Sequence, residues 1–419
     1  MKDFFNSITT RLNCDVLVVG AGPAGSGAAL TAAKNGAETV IIDKKNAIGT
    51  PIECGECLDP SLLDKYNIKL NPKIIRARHD GTIFYINKEL KIDNRSLEWK
   101  SISVDRRDLD KSFAYEATSA GAKLLVGAEL INAEISDDVI STAIVKTERR
   151  EILIDPKIVI AADGTFSTVG KLQNRRKLDR GEIGCTVSYE MTNLKIKNPN
   201  MVQMFFDDLT GNGYGYIIPL SKNSANVGLG RLGIDEFPWE HLEVFLTEHP
   251  IVSPQVKDAR IIEIKKGETP LTGPKLELLV GNVLYVGDSS AQNLSHVGEG
   301  VIPSHVCGMI AGEVAAKASK KGDISVLDQY PKKISEGIGI LFKKCEKIRD
   351  KAVEVWSSDL PSNKKFMLGG LLISEVISPE DESTINQLTA LNTKNDISEV
   401  INLSIKKQGR EKYIKCTTC

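Results

Sequence analysis

Short, continuous apolar runs alternate with glycine turns and helical patterns in the N-terminal part of the chain. Residues 15–19 (DVLVV) are apolar after the first position, which is typical of a parallel strand buried on both faces. A helix rich in small residues is predicted at 26–37, and a second apolar strand at 39–42. Strand, glycine turn, helix and strand within about 30 residues predict a βαβ unit.

The same patterns return later in the chain. Residues 105–118 have helical periodicity, and residues 152–162 resume the pattern of a buried strand. From 183 to 233 the apolar runs are shorter and are separated by turn residues, which predicts an antiparallel sheet. Residues 278–286 indicate one further buried strand, and an alanine-rich helix is predicted to start near Gly298. The remainder of the chain has a mostly helical, charged pattern.

These patterns predict an α/β protein in which one domain is built from separated pieces and a sheet domain is inserted between them. We expect the first domain at 12–80, 100–180 and 278–325, the sheet domain at 81–99 and 181–277, and a helical region with a Cys-x-x-Cys tail at 326–419.

Composition narrows the functional classes. With 419 residues the chain is long enough for two or three domains. The 54 Lys and Arg residues are balanced by 55 Asp and Glu residues, so no basic field favours a nucleic-acid partner. No apolar run approaches the roughly 20 residues of a membrane-spanning helix, and the first residues lack the apolar core of a signal peptide. We therefore expect a cytoplasmic protein whose eight cysteines are thiols, ligands or catalytic groups rather than a disulfide framework.

The glycine turn after the first strand has the spacing of a dinucleotide-binding motif. Gly20 allows the tight turn, Gly22 lets the backbone approach a pyrophosphate, and Gly25 lets helix and strand pack closely. The helix N-terminus would face the phosphates with its partial positive charge. Asp43 ends the second strand, where a ribose-binding carboxylate is expected. The simpler alternative is a purely structural glycine turn.

Three further motifs follow in a fixed order: Asp163-Gly164, Gly287-Asp288 and Gly298-Glu299-Gly300. Together with the glycine turn, over residues 12–320, they resemble the FAD-dependent group that contains aromatic hydroxylases and geranylgeranyl reductases. The resemblance implies a Rossmann-like FAD-binding domain of the p-hydroxybenzoate hydroxylase type, an inserted antiparallel-sheet substrate domain and a helical C-terminal region. It implies FAD as the cofactor.

The resemblance also assigns roles to residues. Arg106 would contact the flavin nucleotide, the Asp288 carboxylate would hold the ribityl chain, and the turn at 298–300 would face the isoalloxazine ring. The complete cofactor-binding set that it implies is Gly20, Gly22, Pro23, Ala24, Gly25, Asp43, Lys44, Cys54, Gly55, Arg106, Ala162, Asp163, Gly164, Gly287, Asp288, Gly298, Glu299, Gly300 and Val301.

Finer features are similar to the reductases of this group. Residues 213–220 (GYGYIIPL) resemble their aromatic motif, with Tyr214 and Tyr216 in the pattern, and residues 51–57 (PIECGEC) resemble the Cys-Gly segment of archaeal geranylgeranyl reductases. Cys54, Tyr214 and Tyr216 are therefore the expected catalytic residues, although the tyrosines could instead pack a sheet core. The implied reaction is saturation of C=C bonds in geranylgeranyl chains of isoprenoid lipids. A polyprenyl lipid substrate implies peripheral membrane contact, with 368–377 (LGGLLISEVI) as the candidate surface unless it packs inside the protein.

The chain departs from the reductase pattern just before the 298–300 turn. Leu294, Ser295, His296 and Val297 stand where the reductases have an Asn-Pro pair. His296, the histidine nearest this turn, is either a proton donor or a loop residue without a chemical role. The electron donor is a ferredoxin-like protein or NAD(P)H, and the absence of a second nucleotide motif favours the protein donor.

Two Cys-x-x-Cys pairs, Cys54/Cys57 and Cys416/Cys419, leave other functions open. They could form a Cys₄ metal site, or a mobile tail dithiol could exchange electrons with the pair beside the flavin. The simplest interpretation is that Cys54 belongs to the pocket and the tail has no chemical role, so we predict no metal. The alternative functions are a flavin-dependent monooxygenase, which uses O₂, and a flavin thiol-redox or electron-transfer protein.

Overall fold

Two eight-stranded sheets and one three-stranded sheet form the framework of the protein, in a computed structural model that describes residues 11–234, 236–273 and 275–418. The strands are β1 (Arg11–Val19), β2 (Thr39–Asp43), β3 (Cys57–Leu58), β4 (Ile75–His79), β5 (Gly81–Ile86), β6 (Leu90–Asn94), β7 (Ser101–Val104), β8 (Lys123–Val126), β9 (Glu129–Ser136), β10 (Val139–Lys146), β11 (Glu151–Ala161), β12 (Ile183–Thr192), β13 (Met201–Phe206), β14 (Gly213–Pro219), β15 (Ser224–Leu232), β16 (Arg260–Pro270), β17 (Leu279–Val280), β18 (Val283–Tyr285) and β19 (Ile414–Thr418). The α-helices are α1 (Pro23–Lys34), α2 (Pro60–Lys65), α3 (Arg106–Ser119), α4 (Thr168–Leu172), α5 (Trp239–Glu248), α6 (Ser253–Val256), α7 (Val301–Lys321), α8 (Gln329–Glu336), α9 (Gly339–Ser357), α10 (Ser362–Ile373), α11 (Glu382–Ala390) and α12 (Lys394–Lys407).

The first sheet has a parallel centre, in the order β18-β11-β1-β2-β8. Strand β1 lies between β11 and β2, so that Leu17 pairs with Val159 on one side and with Val40 on the other. This position explains why residues 16–19 are apolar without alternation, because both faces of β1 are buried. The predicted βαβ unit is confirmed, and its loops open at the carboxyl edge of the sheet.

Helices α1 and α7 pack closely against each other on this sheet. A Cβ atom at Gly308 would lie 1.9 Å from the Ala24 carbonyl oxygen, and one at Gly312 would lie 2.0 Å from that of Ala28. Only glycine permits this approach, which brings the N-termini of both helices to the same side of the sheet. The alanine- and glycine-rich composition of the two helices is the sequence signal for this contact.

The second sheet has the order β16-β12-β15-β14-β13-β5-β6-β19. Its strands run antiparallel except at one pair, since β13 is parallel to β5 with Met201 opposite Gly81. The expected antiparallel sheet is therefore confirmed over β12–β15 and corrected at this pair, which joins two distant segments of the chain. The domain boundaries expected from the sequence stay a prediction.

The segment 278–286 is not the single strand that its apolar pattern predicts. Gly281 has a φ of +56° and turns the chain, so that β17 pairs antiparallel with β18. The Asn282 side chain fixes this turn by accepting from the Ile140 backbone N–H at 2.9 Å and donating to the Lys157 carbonyl at 3.0 Å. Only β18 continues the parallel centre of the first sheet.

The C-terminal region is helical from α8 to α12, as predicted, but it ends in a strand. β19 pairs antiparallel with β6, and Cys416 is buried there against Ile92 in register. Cys419 lies outside the described residues. Residues 368–377 are buried except for the half-buried Glu375, with Leu368, Leu371 and Leu372 fully enclosed. The proposal that they form a membrane-contacting surface is therefore wrong, and packing inside the protein is confirmed.

Candidate active site

A cavity of about 750 Å³ lies between the carboxyl edge of the first sheet and one face of the second. Most of the predicted site residues line this one cavity. Those that line it are Gly22, Pro23, Ala24, Cys54, Gly55, Arg106, Ala162, Gly164, Tyr214, Tyr216, Asp288, Gly298, Glu299, Gly300 and Val301. Gly20, Gly25, Asp43, Lys44, Asp163 and Gly287 do not line it.

The glycine turn forms one end of the cavity. Gly20 has a φ of +98°, and a Cβ atom there would lie 2.4 Å from the Ala162 carbonyl oxygen. A Cβ atom at Gly25 would lie 1.8 Å from the Gly20 carbonyl oxygen, so these two glycines fix the turn itself. A Cβ atom at Gly22 would meet nothing within 4 Å, because Gly22 faces open space at the start of α1. The turn therefore leaves room for a pyrophosphate at a helix N-terminus.

Asp43 supports this turn from the end of β2. Its carboxylate accepts hydrogen bonds from the backbone N–H of Ala21 at 2.7 Å and of Lys45 at 2.8 Å. Lys44 is exposed and lies away from the cavity, whereas Lys45 lines it. The structure thus brings Lys45 to the cavity wall, and the contact of Lys44 with the cofactor stays a prediction.

The two later aspartates differ in what they contact. The Asp163 carboxylate accepts from the Ser167 hydroxyl at 2.6 Å and the Val169 N–H at 3.0 Å, and therefore caps α4. Asp288 lines the cavity, and no group of the described residues hydrogen-bonds its carboxylate. Burial raises the pKa of Asp288 to about 6 against the opposing effect of Arg106. An unpartnered acceptor that faces a cavity fits the hydroxyl groups of a ribityl chain.

Arg106 begins α3 and binds Asp110 one turn later through two guanidinium nitrogens, at 3.1 and 3.2 Å. The guanidinium also interacts with the Cys54 sulfur. The Arg106 backbone N–H donates to the Glu56 carboxylate at 3.0 Å. The start of α3 is in this way tied to the Cys-Gly-Glu-Cys loop.

Glu56, which the sequence did not single out, is the centre of a buried polar network. Its carboxylate accepts from Lys265 Nζ at 2.6 Å and from Asn226 Nδ2 at 2.9 Å, and Lys265 also contacts Glu190 at 3.1 Å. Burial lowers the pKa of Lys265, but the two carboxylates more than offset this and the net shift is upward. The network holds the loop against β12, β15 and β16. Its only sequence signal is a lysine at an inward-facing position of β16.

The two cysteines of this loop have different surroundings. Both line the cavity. The Cys54 sulfur accepts from the Glu56 N–H at 3.2 Å. Cys57 lies in β3, where burial raises the pKa of its thiol to about 12. Both are thiols, and the described residues contain no cluster of three histidine, cysteine or acidic side chains placed to hold a metal. Cys416 is not among the residues that line the cavity.

The opposite end of the cavity is largely apolar. The Tyr214 hydroxyl donates to the Val297 carbonyl at 2.5 Å, and burial raises the pKa of Tyr214. The Tyr216 hydroxyl lies 3.4 Å from the Thr186 hydroxyl, and its ring packs beside Gly55. Apolar side chains complete this wall: Leu58, Trp99, Val202, Met204, Ile218, Leu341, Trp356 and Ile373.

The loop at 294–300, before α7, lines the cavity between its nucleotide end and its apolar end. The Leu294 N–H donates to the Glu299 carbonyl at 2.8 Å, which closes the loop that carries Gly298 at a φ of +73°. Burial raises the pKa of Glu299 to about 8, and Asp59 adds to this effect. The start of α7 then faces the cavity beside Asp288.

A nucleotide cradle at the carboxyl edge of a parallel sheet, two helix N-termini facing one cavity and an unpartnered carboxylate between them fit FAD and define an FAD-dependent oxidoreductase. Residues 15–167 match the model of FAD dependent oxidoreductases, and residues 182–269 match that of the geranylgeranyl reductase catalytic domain. The chain belongs to the geranylgeranyl reductase family.

Individual relatives agree with this assignment. Digeranylgeranylglycerophospholipid reductase of Methanocaldococcus jannaschii is 36% identical over 77% of this chain and 82% of its own length. The enzyme of the same name from Methanococcus aeolicus is 35% identical over 74% and 78%. A geranylgeranyl bacteriochlorophyll reductase-like protein from Thermoplasma acidophilum has the same fold, with a TM-score of 0.76 and 24% identity over 95% of this chain and 96% of its own. The flavin-dependent brominase Bmp2 shares the fold at a TM-score of 0.68 and 14% identity, covering 95% and 100%.

Proposed function

We propose that this protein is an FAD-dependent reductase that saturates C=C bonds in the geranylgeranyl chains of a digeranylgeranylglycerophospholipid. The observation that carries the proposal is the continuity of one cavity from the glycine turn at Gly22 to the apolar wall around Tyr214 and Trp356. A polyprenyl chain requires such an apolar wall, and the reaction requires its double bond to reach the cofactor. The named relatives act on this class of lipid, which supports the same substrate here.

In this proposal some residues of the cavity hold the cofactor, and others fix the position of Cys54 and of the loop before α7. The cofactor would be held by Gly22 and the α1 N-terminus at its phosphates, by Arg106 and Asp288 at its sugar chain, and by the start of α7 at its ring. When bound and reduced, FAD supplies a hydride. The Glu56 network would fix Cys54 beside the reacting groups, and the Tyr214 bond to Val297 would fix the loop before α7.

The partners follow from the same chemistry. We propose a ferredoxin-like protein as the electron donor, because no second nucleotide-binding motif for NAD(P)H was found in the sequence. The lipid substrate calls for peripheral membrane contact by a cytoplasmic protein. Within the described part of the chain, none of the helices combines the length and apolar character needed to cross a bilayer.

Anaerobic photoreduction of the purified flavoprotein tests the function. After reduction, addition of digeranylgeranylglycerophospholipid in detergent micelles should restore the oxidised-flavin absorption, and mass spectrometry should show the added hydrogens. The fully saturated lipid with the same headgroup is the matched control and should cause no reoxidation. Absence of reoxidation with every polyprenyl lipid, or oxygen incorporation into the product in air, would contradict the proposal.

A further inference from the structure

A chain of three ionisable side chains runs from the surface to the cavity wall beside the 298–300 turn. His296 Nε2 lies 3.3 Å from one oxygen of Glu375, and Lys344 Nζ lies 2.6 Å from the other. The His296 side chain is 4% exposed, whereas that of Lys344 is 55% exposed. All three residues line the cavity. The cluster therefore connects solvent to the interior of the site through consecutive close contacts.

The position of Glu375 is fixed by its backbone. It follows α10 with a φ of +53°, which few residues other than glycine adopt. Its N–H donates to Leu372 at 2.9 Å, and its carbonyl accepts from the Arg410 guanidinium at 2.7 Å. The chain thus holds an unusual backbone conformation at the residue whose carboxylate bridges His296 and Lys344.

His296 differs from the other four histidines of the chain, all of which lie in the described ranges. His79, His241, His249 and His305 contact Ser103, Arg231, Asp207 and the Pro23 carbonyl, and none lines the cavity. His296 lines it, and its Nδ1 is buried with no hydrogen-bond partner among the described residues. Nε2 of His296 therefore contacts Glu375, and the Cys345 sulfur is the other neighbour that interacts with the ring.

The charged surroundings keep His296 protonated. Burial alone would lower the pKa of His296, but the Cys345 sulfur and the Glu375 carboxylate act in the opposite direction and raise it to about 9. The pKa of Glu375 is lowered to about 2, because His296 and Lys344 outweigh its burial. Glu299 is the remaining ionisable group that interacts with His296, and the imidazolium charge favours its ionised form.

We propose that His296 donates the proton that completes saturation of the double bond, and that Glu375 and Lys344 reload it from solvent; this inference rests on the reductase function proposed above. The hydride forms a C–H bond at one alkene carbon, and the imidazolium proton forms the second C–H bond as the π bond is broken. The Nδ1 nitrogen donates this proton, and the neutral imidazole keeps its Nε2 proton. The ring then turns so that Nδ1 faces Glu375, and Nδ1 takes up a proton that Lys344 and Glu375 deliver from water.

The test compares holoenzyme variants in the single-turnover assay with digeranylgeranylglycerophospholipid. General acids typically contribute 10²–10⁴-fold, so His296→Gln should slow reoxidation by at least about 100-fold, while chemical reduction of the flavin and its retention are unchanged. His241→Gln is the matched control and should react at the wild-type rate. The wild-type rate should fall as the pH rises through about 9, and Glu375→Gln should move this decrease to lower pH.

NMR titration of the histidine Hε1 protons provides a readout that is independent of turnover. The resonance missing from His296→Gln should titrate above the range of an ordinary histidine, and Glu375→Gln should lower its pKa. A wild-type reoxidation rate in His296→Gln would show that His296 is not the proton donor, and the reductase function would still stand. The same conclusion would follow if Glu299→Gln lost the reoxidation rate while His296→Gln kept it. If His296→Gln does not fold, an unchanged pH profile and an unchanged titration in Glu375→Gln would overturn it. Failure of the wild type to react with any polyprenyl lipid would remove both proposals.

Discussion

Lys265 Nζ lies 2.6 Å from Glu56 Oε2, and the two side chains are 1% and 2% exposed. Glu56 sits between Cys54 and Cys57 with a φ of +64°, so the loop that carries these cysteines adopts an unusual backbone conformation. A buried charge without its partner is costly, and this pair therefore holds the loop in place against the second sheet.

Removal of one partner should be strongly destabilising. Lys265→Met leaves the Glu56 carboxylate buried without its cation, and we expect the free energy of unfolding to fall by about 3–5 kcal/mol. Urea denaturation of the holoenzyme at fixed FAD concentration measures this change. Lys123→Ala is the control, because it breaks an exposed pair with Glu38 that should contribute less than about 1 kcal/mol. A Lys265→Met protein as stable as Lys123→Ala would contradict the role of the pair.

The two glycines at the start of α1 should respond differently to alanine. Gly25→Ala would place a methyl group 1.8 Å from the Gly20 carbonyl oxygen, so we expect loss of the turn, of FAD and of thermal stability. Gly22→Ala has free space and a φ of −69°, so the protein should fold but bind FAD more weakly where the methyl group occupies the pyrophosphate position. The FAD-to-protein ratio after gel filtration and the melting temperature distinguish the two outcomes. Wild-type FAD content in Gly22→Ala would contradict the assigned phosphate position.

The glycine turn and the aspartate at the end of β2 could be predicted because their geometry is local. Gly25 and Asp43 interact with Gly20 and Ala21 within one βαβ unit, and the motif spacing therefore determines their positions. Gly164 of the Asp163-Gly164 motif lines the cavity, but the Asp163 carboxylate caps α4. A motif thus gave the position of the turn and not the direction of each side chain.

Contacts between segments that are distant in sequence had no comparable motif from which they could be predicted. Glu56 and Lys265 are 209 positions apart, and only the packing of the loop on β16 brings them together. His296, Glu375 and Lys344 are likewise distant in sequence and are brought together only by packing. His296 lies in the loop before α7, Lys344 lies in α9, and Glu375 follows the end of α10. β19 is a short strand at the sheet edge, and its pairing with β6 depends on the preceding helices rather than on its own pattern. Gly281 divided an apolar run that otherwise has strand character.

Asp288 should make FAD binding depend on pH. The carboxylate accepts stronger hydrogen bonds than the protonated acid, and its pKa is raised to about 6, so FAD affinity should fall as the pH decreases through that value. Asp288→Asn should weaken binding about 10- to 100-fold at neutral pH, from the roughly 1.5–3 kcal/mol of a charge-assisted hydrogen bond, and should abolish this pH step. Flavin fluorescence quenching titrations on either side of the pKa measure both effects. Parallel pH profiles for wild type and Asp288→Asn would rule out a contact between Asp288 and FAD.

The fixed position of Cys416 predicts that it takes no part in electron transfer. Cys416 is 2% exposed in β19, its backbone carbonyl accepts from Asn402 at 2.9 Å, and it does not line the cavity. A dithiol relay through the tail requires both of its cysteines, so Cys416→Ala removes that possibility in one substitution. We expect Cys416→Ala to show the wild-type rate of flavin reoxidation after chemical reduction, whereas Cys54→Ala, which changes the cavity wall beside Tyr216, should slow it. A loss of turnover in Cys416→Ala with FAD content and melting temperature unchanged would instead support a thiol relay, because the substitution alters no group of the cavity.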